Sequence, residues 1–216
     1  MAQPAPRERL QSDAPTRERM LGVALEAFAE LGYDGASTRA IAARAGVNQG
    51  MIPYYFGTKE ALWREAVGRA FEEVRALMEE ARAGGSPLDD RARAEQMIRQ
   101  VVRFVARRPE FVRVMNDEGK REGPRMEWIV DHLVREVFEV VRDQLYRAGG
   151  LARLPADLDP LHLYYILIGA ITMLFHQAPE CQRLTGRDPS DEEVVEAHAD
   201  ALVALFVGEP PRSSPT

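Results

Sequence analysis

The chain has 216 residues, 45% of them hydrophobic, and a formal charge of −6. That is enough to bury a real core, while a single cysteine, Cys181, excludes a disulfide framework or a thiolate metal cluster and points to a reducing cytoplasm. The charge sum argues against nucleic acid, but its distribution does not: Gly35 to Lys59 holds no acidic residue, whereas Arg39, Arg44 and Lys59 are basic.

Residues 1–15 are polar and rich in Pro, Arg and Gln, and are expected to form a disordered arm and not a secretory signal. Leu21, Ala24, Leu25, Phe28 and Leu31 recur at helical spacing, predicting a helix from Thr16 to Leu31 that Gly32 ends in a left-handed cap. Ser37 or Thr38 caps a short helix with Ile41, Ala42 and Ala45 on its apolar face, stopped by Gly46. Asn48 caps the next, which runs to Phe56. Pro53 inside it removes an N–H and predicts a kink, and Gly50 weakens it further.

Thr58 opens a long helix to Ala83, closed by Gly84-Gly85-Ser86-Pro87. Helices are expected over 89–107, 109–118 and 124–147, the last closed by Gly149-Gly150. Leu161 to Phe175 is strongly apolar but short of the roughly 20 residues that cross a bilayer. Bracketed by Pro160 and Pro179, it reads as a buried helix with no membrane role. Ser190-Asp191-Glu192-Glu193 reads as the capping box of a last helix, 191–206, and the tail 208–216 as disordered. No alternating strand pattern competes. The expected fold is all-α: a three-helix N-terminal helix-turn-helix domain over 16–60 and a larger C-terminal helical bundle over 61–207.

The segment from Ser37 to Phe56 has the form of a helix-turn-helix, with Ala42, Val47 and Ile52 as its small core. Phe28 to Val47, followed by Tyr54-Tyr-Phe-Gly-Thr-Lys-Glu-Ala-Leu62, resembles the DNA-binding domain of the TetR/AcrR regulators over residues 17–63. The rest resembles the family in being helical and of suitable length, with His162-Leu-Tyr-Tyr-Ile and Phe175-His-Gln-Ala-Pro-Glu-Cys similar to a C-terminal subgroup. The resemblance implies a repressor, not an enzyme, that works as a homodimer on double-stranded DNA under control of a small-molecule effector.

It also implies roles for single residues. Thr38 suits a phosphate at a helix N-terminus, and Arg39 stands where some members reach base edges. Gln49 is the base reader, because its amide pairs bidentately with adenine. Tyr54, Tyr55 and Lys59 match positions facing the DNA backbone; Asn48 contacts phosphate or caps, with Gly50 beside it. Pro53 departs from the family, which usually has an aromatic there. Arg44 is equally a surface charge or a phosphate contact, and Phe56 packs inward.

Phe104, Met115, Trp128, His132, Tyr164, Phe175 and His176 are the candidates to line an effector cavity among the middle helices. Helices 161–175 and 191–206 are the candidate dimer interface, since a helix apolar nearly all round needs neighbours on every side. No cofactor is implied. His176, Glu180 and Cys181 have no recognised zinc spacing, with Pro179 between them, and read as a structural loop. A helical-bundle catalyst using His132, His176 or Asp117-Glu118 lacks any nucleophile–base spacing or phosphate loop. A helical adaptor that binds another protein is the third alternative.

Overall fold

The computed structural model describes residues 6–82, 90–147 and 158–208. The glycine stops expected at 84–85 and 149–150, and the tail beyond Gly208, lie outside them. The described elements are all helical: α1 (Pro6–Gly35), α2 (Thr38–Arg44), α3 (Met51–Phe56), α4 (Lys59–Arg82), α5 (Asp90–Arg107), α6 (Pro109–Glu118), α7 (Pro124–Ile129), a π-helical turn (Val130–Val134), α8 (Arg135–Arg147), α9 (Pro160–His176), α10 (Ala178–Thr185) and α11 (Glu192–Phe206).

Most helices fall where apolar spacing puts them, and the differences have local causes. Helix α1 starts at Pro6, so residues 6–15 are helical where a disordered arm was expected. Pro6 stands at the first position, where its missing N–H costs nothing, and the Arg, Glu, Leu and Gln that follow are good helix formers. Gly32, at φ 69°, breaks α1 at the expected place. The single helix expected over 124–147 contains a π turn, and there the His132 carbonyl accepts a bond from Arg75 of α4 at 3.3 Å.

Residues 178–185 form helix α10, not a loop, closed by Gly186 at φ 73°. The capping box before α11 does not form. The Ser190 hydroxyl turns back to donate to Asp188 Oδ1 at 2.7 Å, which holds that carboxyl below its ordinary value.

One continuous core runs from Met20 to Val207. Helix α1 packs across α4 and α6, while α5 lies centrally against α4, α8, α9 and α11. Arg99–Asp200 and Arg103–Glu196 ion pairs, both 2.6 Å, tie α5 to α11. Helix α4 is shared, its start seated on α1 and α3 and its remainder against α5 and α8. Among the described residues no single helix is long and apolar enough to cross a membrane.

Candidate nucleic-acid interface and ligand cavity

Helices α2 and α3 bury their apolar faces and leave their polar ones outside. Ile41, Ala42, Ala45, Ile52 and Phe56 are buried, with Val47 half-buried between them. Ser37, and not Thr38, caps α2 by accepting from the Ala40 N–H at 3.1 Å. Thr38 is thus the first helical residue, half-buried, and Arg39 beside it is exposed with no ion-pair partner among the described residues.

The Asn48 side chain accepts from the Gly50 N–H at 2.9 Å, which ties the turn before α3, while the cap position of α3 is Gly50 and not Asn48 as expected. Regular helix begins only at Met51, which places Asn48, Gln49 and Gly50, all exposed, in the turn leading into α3. This also removes the kink expected at Pro53. Proline falls in the first turn, where an N–H is dispensable, and the Gln49 carbonyl accepts from Ile52 at 3.3 Å instead.

Tyr54 is 72% exposed. Tyr55, expected beside it on the DNA backbone, is half-buried against Phe56 and the edge of Tyr54. Consecutive helical residues point about 100° apart, and here that turn carries Tyr55 toward the core while Tyr54 stays outside. Arg44 is taken up by Glu26 (3.3 Å) and Glu30 (2.7 Å) and clamps α2 to α1. Lys59 lies 4.6 Å over the Tyr33 ring, at the edge of the acid-poor face.

Below this unit lies a junction that sequence patterns did not reveal. Tyr33, at the end of α1, stacks on Phe28 at 5.9 Å and meets Trp63 of α4 edge-on at 6.3 Å. Burial first, then the Glu60 carboxylate, pushes the Tyr33 hydroxyl above its ordinary pKa. Trp63 meets Trp128 of α7 at 5.7 Å, and Trp128 stacks on His132 at 5.2 Å. The Arg125 guanidinium sits 4.0 Å over Tyr33 while its Nε donates to Glu118 at the end of α6, at 2.9 Å. Ends of α1, α4, α6 and α7 therefore meet in one aromatic and charged cluster.

A cavity of about 130 Å³ lies in the bundle between α4, α5, α6, α8 and α9. Of the expected lining residues, Phe104, Met115 and Tyr164 are there. The other four are elsewhere. Trp128 and His132, one turn apart, face α4 and belong to the junction, while Val137 and Val141 present another face of the same rod to the cavity. Phe175 lies past the cavity end of α9 and packs edge-on against His198 of α11 at 5.8 Å, and His176 is the last residue of α9.

Asn116 and Thr172 line the cavity and were missed, because single polar residues on amphipathic helices carry no pattern. The described residues contain no group of His, Cys, Asp or Glu able to hold a metal ion.

An exposed two-helix unit with a polar face, carried on a larger helical bundle with its own cavity, has the arrangement of a helix-turn-helix DNA-binding protein. Residues 20–66 match the family model for bacterial regulatory proteins of the tetR family, and residues 91–205 match the tetracyclin repressor-like C-terminal domain. The chain belongs to the TetR family of DNA-binding transcriptional regulators.

The transcriptional repressor NicS of Pseudomonas putida is 33% identical over 119 residues, which is 53% of each chain, so the match spans about half of NicS. The regulator RutR of Escherichia coli K12 is 24% identical over 187 residues, 86% of this chain and 85% of RutR. Two solved structures share the fold. AibR in complex with isovaleryl coenzyme A and operator DNA superposes with a TM-score of 0.70 at 15% identity, covering 89% of this chain and 98% of AibR. KstR2 of Mycobacterium tuberculosis gives 0.69 at 19%, covering 89% and 95%.

Proposed function

We propose that this regulator is an effector-released repressor that acts as a cytoplasmic homodimer on a pseudo-palindromic operator. The observation that carries the reading is the outer surface of α2 and α3: Arg39, Asn48, Gln49, Gly50 and Tyr54 are exposed on a unit whose apolar faces are already spent on the core. Residues 16–60 act as the reading head and 61–207 as the sensing and dimerising part. Gln49 and Arg39 reach base edges, while Thr38, Asn48, Tyr54 and Lys59 hold the phosphate backbone.

Dimerisation through α9 and α11 is supported by what those helices leave uncovered. Tyr165, Ile166 and Met173 on α9, and Leu205 on α11, are 66%, 52%, 54% and 60% exposed. Nothing lies within 4 Å of a Cβ placed on Gly169 between them, and exposed Ala197, Ala201 and Ala204 give α11 a smooth face on which helices can close. An apolar patch of this kind in a DNA-binding bundle fits a second copy.

The effector enters the cavity, where Met115 and Asn116 of α6 are in reach, and moves the α6 end that holds Arg125 on Tyr33 and Trp63. The spacing of two reading heads then changes. The neighbour AibR carries both a ligand and operator DNA in its structure, which supports the pairing of the two sites. Regulation needs a coupling of about 1–3 kcal/mol between them.

The test is to pass fragmented genomic DNA over the purified chain and map protection on what is retained. Two symmetric half-sites about 34–36 Å apart are expected, with retention falling steeply as salt rises. No retained DNA, or a single asymmetric footprint, would overturn the proposal.

A further inference from the structure

We infer that the cavity takes an uncharged lipophilic molecule with a single carbonyl or hydroxyl group, and rejects carboxylates and coenzyme A thioesters; this rests on the reading of that cavity as the effector site. The described lining contains no Asp, Glu, Lys, Arg or His. It is built from aliphatic and aromatic side chains, among them three methionines, Met78, Met97 and Met115, whose flexibility lets the walls follow ligands of differing shape.

Its polar members among the described residues are Asn116, Tyr164 and Thr172. The Thr172 hydroxyl spends its proton on the Ile168 carbonyl at 2.8 Å, leaving lone pairs alone for a guest. Burial pushes the Tyr164 hydroxyl up to about 12, so it keeps its proton at neutral pH. Asn116 both donates and accepts. One neutral oxygen is what such a set satisfies.

Charge decides what is excluded. Asp117 and Glu118 close α6 beside Asn116, and Glu118 holds Arg125, so no side chain in the described lining brings a cation to a bound carboxylate. An unpaired buried anion is costly enough that an acid would bind as its protonated form. A carboxylic acid with pKa near 4.3 is neutral in only about one molecule in 500 at pH 7. Size sets the rest. Where a water needs roughly 10–15 Å³, a cavity of about 130 Å³ holds on the order of ten non-hydrogen atoms.

The experiment uses the full chain, with displacement of the uncharged fluorophore N-phenyl-1-naphthylamine as readout. The competitors are 2-nonanone, nonane, nonanoate and nonanoyl coenzyme A. Nonanone is expected to bind at least about 100-fold more tightly than nonanoate at pH 7. Nonanoate should gain about tenfold per unit as pH falls from 8 to 6 while nonanone stays constant, since Tyr164 is the one titratable side chain in the described lining. Asn116→Leu should narrow the advantage of nonanone over nonane; where that variant does not fold, the pH series on the unaltered chain decides.

Nonanoate or nonanoyl coenzyme A binding as tightly as the ketone at pH 7, or nonanoate binding that ignores pH, overturns the inference. Ketone binding that releases no DNA supports this ligand class and defeats only the regulatory reading. DNA release by nonanoyl coenzyme A without ketone binding does the reverse.

Discussion

Glu118→Ala removes the one charged side chain that is buried among the described residues, at 7% exposure. Its carboxylate lies 2.9 Å from Arg125 Nε, and the same guanidinium rests 4.0 Å over Tyr33. Truncation strands that cation against two aromatic rings. Breaking a fully buried pair costs about 3–5 kcal/mol, but the Arg125 side chain keeps 21% exposure and water recovers part of it. A charge-assisted hydrogen bond contributes about 1.5–3 kcal/mol, so a loss of about 2 kcal/mol is expected.

For a chain of this length that is a melting point lower by about 4–8 °C, read at fixed protein concentration because the stability of the proposed dimer depends on it. Urea denaturation of Glu118→Ala, Arg125→Ala and the double variant should give a coupling above about 1 kcal/mol. Since α6 also contributes Met115 and Asn116 to the cavity, the same change should shrink the effect of ligand on DNA affinity. A loss of unfolding free energy below about 0.5 kcal/mol, or strictly additive variants, would refute a latch at this junction.

Gln49→Ala should weaken operator binding by about 1–3 kcal/mol and relax preference at one base pair, seen by gel shift against a set of single-base operator variants. Ile166→Glu on the exposed face of α9 should yield folded monomers in sedimentation and cost about 100-fold or more in operator affinity through lost bivalency. Gly57→Ala should destabilise by about 1–3 kcal/mol in urea, because Gly57 sits at φ 72° and ψ −65°, a strained γ-turn conformation for any L residue, and a methyl there meets no neighbour. Tyr164 titrates near 10 when unfolded and about 12 when folded, so its contribution is complete below pH 10 and lost between 10 and 12. Stability should fall by about 2–3 kcal/mol more over that window in the unaltered chain than in Tyr164→Phe.

Apolar spacing alone places most of the helices and the stripe each must hide, though it reads residues 6–15 as an arm and 178–185 as a loop. Glycines at 32, 46 and 57, each at positive φ, mark stops that need no tertiary information. The family-like run from Phe28 to Leu62 carries the reading head for the same reason: its caps, turn and small core are local.

Tertiary structure alone decides how helices rotate about their axes relative to several neighbours at once. That rotation sends Trp128 and His132 to α4 and not to the cavity, turns Tyr55 inward beside an outward Tyr54, and brings Arg125 onto Tyr33 from the far side of α6. No pattern within one helix encodes such meetings, since each depends on which other helix occupies the space opposite.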